Sequence, residues 1–202
     1  MNLLKDKSQI GIDYLNYHKT IEELLAEGKT SGTNHSEDYI HYTKMNLQRM
    51  NRYLKTVDIN EDLSALIQSI DKPLIFLVLA EAWCGDVAQN LPTIHKMVDL
   101  NPNWQMRIVW RDENLDLMNQ YLTNGGISIP KVIVLDATSF EELTVWGPRP
   151  AEVQAMVMDY KKDQKGIPYM EFVKEVHLWY AKDKGQRLQG EWKAIFDSLK
   201  GS

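Results

Sequence analysis

Seven consecutive apolar residues, Leu74-Ile75-Phe76-Leu77-Val78-Leu79-Ala80, constrain this chain more than any other stretch. A strand with one wet face alternates apolar and polar residues. An unbroken apolar run of strand length needs cover on both faces, as the central strand of a layered α/β fold receives. The run leads directly into Glu81-Ala82-Trp83-Cys84-Gly85-Asp86. From there Val87, Leu91, Ile94 and Val98 recur at helical spacing until Asn101-Pro102-Asn103 breaks the pattern. The local order is strand, thiol, helix.

The flanking sequence extends that order. Met106, Ile108 and Trp110 alternate as in a second strand, and Leu115, Met118 and Leu122 predict a helix ending at Asn124-Gly125-Gly126. Lys131-Val132-Ile133-Val134-Leu135 reads as a further strand, with Leu143-Thr144-Val145-Trp146 able to pair with it antiparallel. A helix carrying Val153, Met156, Val157 and Tyr160 is expected after Pro150 and before Gly166-Ile167-Pro168. Two more are expected beyond it, one with Phe172, Val173, Val176 and Tyr180, the other with Leu188, Trp192, Ile195 and Leu199.

On the N-terminal side, residues 1–70 read as helical. Ile40, Leu47, Met50, Leu54 and Val57 form one apolar helix face, with Ser36 as its cap and Glu37 and Asp38 in its first turn. A shorter helix is expected from Asn60 to Ile70, ahead of Pro73. The expected organisation is a helical extension over residues 1–70, a core over 71–163 and C-terminal helices over 164–202, in a single globular unit.

With 202 residues and 44% hydrophobic content, such a chain buries a sizeable core without disulfides. A net charge of -5 with no dense block of either sign argues against nucleic acid or an anionic membrane as the main partner. No window approaches a membrane-spanning run, and Met1-Asn2-Leu3-Leu4-Lys5-Asp6-Lys7 lacks the apolar core of a secretory signal, so a cytoplasmic location is expected. His18, His35, His41, His95 and His177 are scattered without zinc-site spacing, and neither a metal nor a cofactor is expected. Cys84 is the only cysteine, which fits a reducing compartment.

From about Lys72 to Tyr160 the chain resembles the thioredoxin family. Ala82-Trp83-Cys84-Gly85 follows a buried strand, as the family's Trp-Cys-Gly-Pro-Cys does, and Pro92 stands eight residues beyond Cys84, where the family carries a helix-kinking proline. Ser128-Ile129-Pro130 occupies the place of the family's cis-proline loop, and Gly147 follows the last strand. The chain looks close to a bacterial thioredoxin-like subgroup with Glu-Ala-Trp-Cys-Gly-Asp, Arg-Asp-Glu-Asn, Ser-Ile-Pro and Trp-Gly-Pro-Arg-Pro, here Glu81 to Asp86, Arg111 to Asn114, Ser128 to Pro130 and Trp146 to Pro150. The resemblance implies a thioredoxin-like α/β fold, a central mixed sheet flanked by helices, with extra helices at both ends. It implies Cys84 as the catalytic thiol and Trp83, Gly85, Asp86, Ile129 and Pro130 as substrate-binding residues. A cis Ile129-Pro130 bond would offer the Ile129 backbone to an extended substrate segment. Two positions depart from the family: Val87 stands at the resolving cysteine and Val78 at the buried acid.

A dithiol reductase releases its mixed disulfide with a second thiol, so one cysteine excludes that reaction within a single chain. The start of a helix lowers a cysteine pKa, whereas the neighbouring Glu81 and Asp86 oppose ionisation, and Lys131 is the cation best placed to approach. A partly lowered thiol pKa is the net expectation. Arg111 to Asn114 reads as a strand end and helix cap, with Asp112 or Asn114 receiving N–H groups, and Arg149 as the partner of a carboxylate. The first function expected is monothiol thiol-disulfide exchange through Cys84 on a protein or low-molecular-weight thiol or disulfide. The alternative is a non-catalytic binding or adaptor module that keeps the cis-proline groove, with the terminal helices adding partner surface or a homodimer interface.

Overall fold

The computed structural model describes residues 2–200. Met1, at the head of the expected extension, and Gly201 and Ser202, at the end of the C-terminal segment, lie outside the described residues. The N-terminal part forms α1 (Leu3–Ile10), α2 (Tyr14–Ala26), α3 (Glu37–Thr56) and α4 (Glu61–Gln68). Asp13 caps α2 by accepting the Asn16 N–H at 2.8 Å. Ser36 takes the N-cap position of α3, but its side chain makes no cap bond. Glu37 and Asp38 in the first turn supply the charge that suits a helix start, so the helix begins there without the expected hydroxyl.

The apolar run becomes β1 (Leu74–Ala80), buried at every position, and the next segment becomes α5 (Gly85–Asp99), which carries Pro92 in its interior. There follow β2 (Trp104–Trp110), α6 (Leu115–Met118), β3 (Lys131–Asp136) and β4 (Glu142–Trp146). The chain ends in α7 (Ala151–Lys162), α8 (Tyr169–Asp183) and α9 (Gln186–Lys200). The helix expected to reach Leu122 stops after four residues at Met118. Leu122 finds no core to face and is exposed, and Thr123 and Gly126 close a tight turn by exchanging backbone hydrogen bonds of 2.9 and 3.0 Å.

The four strands lie in the order β2-β1-β3-β4. β1 runs parallel to β2 and antiparallel to β3, and β4 returns antiparallel to β3, which makes the sheet mixed. Side chains alternate along a strand, so Leu74, Phe76 and Val78 share one face of β1. There Phe76 meets Trp104, Trp192 and Phe196 with ring centroids 5.3, 5.6 and 6.3 Å away, which seats α9 against the sheet. Each such buried side chain contributes about 1.5–3 kcal/mol. On the outer side of β2, Ile12 and Ile108 exchange backbone hydrogen bonds of 2.9 and 2.7 Å, which covers part of an edge that would otherwise be open to pairing.

Two packing features position the site. α3 lies along α5, and a second apolar cluster of Val153, Phe172, Val176 and Tyr180 joins α7 to α8, with the Tyr160 ring stacked on Phe172 at 4.1 Å. α8 is tied to α3 by Tyr53, whose hydroxyl donates to the Tyr180 carbonyl at 3.2 Å. These helices meet above the first turn of α5.

Candidate functional site

Because β1 is buried on both faces, its exit delivers Cys84 to the sheet end, where the residue is the N-cap of α5. The thiol donates to the Ile129 carbonyl at 3.4 Å, and the Ile129-Pro130 bond is cis. Burial pushes the Cys84 thiol up to about 12, with the Asp86 charge adding to the rise. The N–H groups of Val87 and Asp86 and the Arg149 guanidinium pull the other way without offsetting it. The expected lowering of this pKa is therefore overturned: desolvation exceeds what a helix N-terminus supplies. At neutral pH the group is a protonated hydrogen-bond donor.

The other charges expected around the thiol are differently placed. Glu81 is fully buried and turned to the opposite side, its Oε1 accepting the Asp112 N–H at 2.9 Å and its Oε2 the Ser31 hydroxyl. Burial raises its pKa. Lys131 sends its ammonium to Thr123 Oγ1 at 2.7 Å and to the Gly147 carbonyl at 3.4 Å, so it does not serve Cys84. Asn114 heads α6 without capping it, accepting from Lys7 Nζ and donating to the Trp110 carbonyl, both at 2.8 Å. Asp112 pairs instead with the adjoining Arg111, Nη2 to Oδ1, at 2.7 Å.

Asp86 is the hub of the site. Arg149 donates to its Oδ2 from Nε at 2.9 Å and from Nη2 at 2.6 Å, and the Tyr180 hydroxyl donates to its Oδ1 at 2.9 Å. Asn90 then donates to the Tyr180 oxygen at 3.0 Å. The acid of Trp-Cys-Gly-Asp and the arginine of Trp-Gly-Pro-Arg-Pro are thus partners, and a helix from the far C-terminal part of the chain completes the set.

Over the thiol lies a pocket of about 650 Å³. Trp83, Cys84, Gly85 and Asp86 form its floor, Tyr39 and Arg49 of α3 one wall, and Tyr160 of α7 and His177 of α8 the other. Trp83 is held between the Tyr39 ring, 5.1 Å away, and the Arg111 guanidinium, 4.8 Å away. A Cβ on Gly85 would stand 3.3 Å from the His177 ring, so the close approach of α8 needs a residue with little bulk there. Of the residues expected to touch a substrate, Ile129 and Pro130 are buried and do not line this pocket; Ile129 meets the thiol through its carbonyl. Arg49, His177 and Tyr180 belong to the site although no motif marked them. Their helices were legible from apolar spacing, which includes Tyr180 itself, but nothing local signals that the Tyr180 hydroxyl meets Asp86 or that Arg49 and His177 face the pocket.

Burial and the nearby Arg49 lower the His177 pKa to about 4, partly countered by Asp86. The imidazole is therefore neutral in the folded protein at pH values where the unfolded chain, with a pKa of about 6.5, takes up a proton. The stability this group lends is present above about pH 6.5 and is lost as the pH falls toward 4. Urea unfolding across that window should show stability declining with acidity, and His177→Gln should flatten part of the decline. An unchanged slope in the variant would mean that other groups carry it.

Among the described residues, no group of three or more His, Cys, Asp or Glu is arranged to hold a metal ion, and no helix is long and apolar enough to cross a membrane. A mixed sheet, a thiol at the start of the helix after β1 and a cis-proline beside that thiol define a thioredoxin-fold site. The thioredoxin family model matches residues 32–162, well over half of the sequence, and the chain belongs to that family. Among solved structures it is similar to a protein of unknown function from Pseudomonas aeruginosa, with 22% identity, 95% of each chain covered and a TM-score of 0.64. It is also similar to an HIV epitope scaffold, with 21% identity, 93% of this chain and 99% of the other covered, and a TM-score of 0.55. At these identities the likeness is one of fold, and it takes in the terminal helices as well as the sheet. No curated protein matches the sequence.

Proposed function

We propose that this thioredoxin-family chain binds a small molecule in the pocket over Cys84, with the thiol as a neutral lining group and without dithiol turnover. The observation that carries the proposal is the pocket that α3, α7 and α8 build over a half-buried, protonated thiol. A disulfide on a protein surface needs an open approach to the attacking sulfur, whereas a pocket of about 650 Å³ has the size of small-ligand sites. The resolving and acid positions support the same choice: Val87 and Val78 are buried apolar residues, 1% and 0% exposed. On this view residues 1–70 and 164–202 are additions to a core at 71–163 that supply the α3 and α8 walls, while the α7 wall comes from the core itself. The chain stays with the bacterial Trp-Cys-Gly-Asp subgroup and in the cytoplasm, where a lone thiol remains reduced.

Monothiol exchange is the second reading, favoured by the Asp86 and Val87 N–H groups directed at the sulfur. In that reaction the Cys84 thiolate attacks one sulfur of a small disulfide, the S–S bond breaks, the other sulfur leaves as thiolate, and an external thiol resolves the mixed disulfide. The rate of iodoacetamide alkylation against pH separates the two. Binding predicts a rate still rising well above the free-thiol value of about 8.5, and a Cys84→Ser variant that still binds the apolar dye N-phenyl-1-naphthylamine. A rate that levels off below pH 8, together with reduction of glutathione disulfide that Cys84→Ser abolishes, would put monothiol exchange in its place.

A further inference from the structure

The chain carries a net charge of -5, yet this pocket is lined by more cations than carboxylates. Three cations line the pocket, Arg49, Arg149 and Lys161, against one carboxylate, Asp86. Arg149 is consumed by Asp86. Arg49 has no carboxylate partner among the described residues; its Nη1 donates to Asn46 Oδ1 at 2.9 Å. Asn46 is itself buried and donates from Nδ2 to the Ala82 carbonyl at 3.0 Å, which fixes the guanidinium relative to the loop that holds Trp83 and Cys84. A guanidinium keeps several donors in a rigid fork, so one bond to an amide leaves capacity for an anion. Opposite it, His177 adds no positive charge at neutral pH. The remaining walls are aromatic, chiefly Tyr39, Trp83, Tyr160 and Phe172.

From this juxtaposition we infer that the pocket selects small organic anions, taking a planar apolar body between the aromatic walls and its carboxylate or sulfonate on Arg49; this rests on the binding function proposed above. Lys161, on the exposed rim of α7, adds attraction to an approaching anion but no fixed contact. The aromatic walls alone would take neutral and anionic bodies alike. Arg49 sets the preference, because a charged partner on a partly desolvated guanidinium makes the stronger kind of hydrogen bond.

A matched pair of fluorescent probes tests this. 1-Anilinonaphthalene-8-sulfonate and N-phenyl-1-naphthylamine share one aromatic body and differ in the sulfonate. The wild-type protein should bind the sulfonate at least about tenfold more tightly than the neutral probe, as a charge-assisted hydrogen bond allows. Arg49→Gln should remove that preference by weakening the sulfonate far more than the neutral probe, with an unchanged far-UV circular dichroism spectrum and urea midpoint showing that the variant is folded. Lys161→Gln should weaken the sulfonate less than Arg49→Gln does. Equal affinity for the two probes in the wild type, or a preference that survives Arg49→Gln, would overturn the anion assignment while leaving a binding pocket in place. Failure of both probes to bind the wild type would remove the binding function and the anion assignment together.

Discussion

Replacing Gly147 with alanine should lower the stability of this protein by about 3 kcal/mol or more, read as a fall in the urea midpoint. Gly147 has φ +114, and a Cβ built there would lie 2.3 Å from the Pro130 carbonyl oxygen and 3.3 Å from its carbon. Both are backbone atoms, so no side chain can swing aside. Pro130 leads into β3 and Gly147 leaves β4, next to the paired residues Val132 and Trp146, so relief of the clash has to come from spreading the sheet itself. It would also displace the Gly147 carbonyl that receives Lys131 Nζ and the segment that carries Arg149. Gly28→Ala supplies the control. Gly28 has φ +70 with nothing within 4 Å of an added Cβ, so only the left-handed backbone cost of about 1 kcal/mol applies. A Gly147→Ala loss no larger than that of Gly28→Ala would show that the loop yields, and that the glycine is a convenience and not a requirement.

The sheet and most of its helices were legible in the sequence because their signals are local. An apolar run covered on both faces, an alternating segment, a further strand run with a segment able to pair with it, and repeats at helical spacing each name an element from its own residues, and β1 to β4, α3, α4, α5 and α7 to α9 fall where those patterns put them. α6 shows where that logic stops. Leu122 continues the helical repeat of Leu115 and Met118, but no partner faces it, and a repeat without a partner does not hold a helix. Ser36 fails in the same way: it has the right type and position for a cap, yet the bond is not made. The site was legible to a lesser degree. Trp83, Cys84, Gly85 and Asp86 do share the pocket floor, and Arg149 does hold a carboxylate, although the sequence did not say which. The ionisation of Cys84 was read with the wrong sign, because the desolvation comes from helices distant in sequence while the helix N-terminus is local. Glu81 makes the same point from the other side. It stands three residues from the thiol in sequence, yet hydrogen bonds to Ser31 and Asp112 take its carboxyl elsewhere.

Arg149→Met and Asp86→Asn should both destabilise the fold yet move the Cys84 thiol in opposite directions. The pair is well covered, with side chains 14% and 17% exposed, and removal of one partner from such a pair costs about 3–5 kcal/mol because the other charge stays behind. Arg149→Met leaves Asp86 charged, with Tyr180 as its remaining side-chain donor, so the larger loss belongs to this variant. For the thiol, the signs follow from what each group does to a thiolate. Asp86 raises the Cys84 pKa and Arg149 lowers it, both after burial, which is the largest cause. Loss of the carboxylate charge in Asp86→Asn therefore brings the thiol down part of the way, and alkylation at pH 8 should accelerate. Loss of the guanidinium in Arg149→Met pushes the thiol further up, and alkylation should slow. The opposite signs give the comparison its force. If the pair served only to hold α5, α8 and the segment after β4 together, either substitution would loosen the pocket and admit water, and both thiols would drift down toward the free value of about 8.5. Divergent shifts would show that the acid of Trp-Cys-Gly-Asp helps to keep Cys84 protonated, and that the arginine of Trp-Gly-Pro-Arg-Pro limits how far it does so.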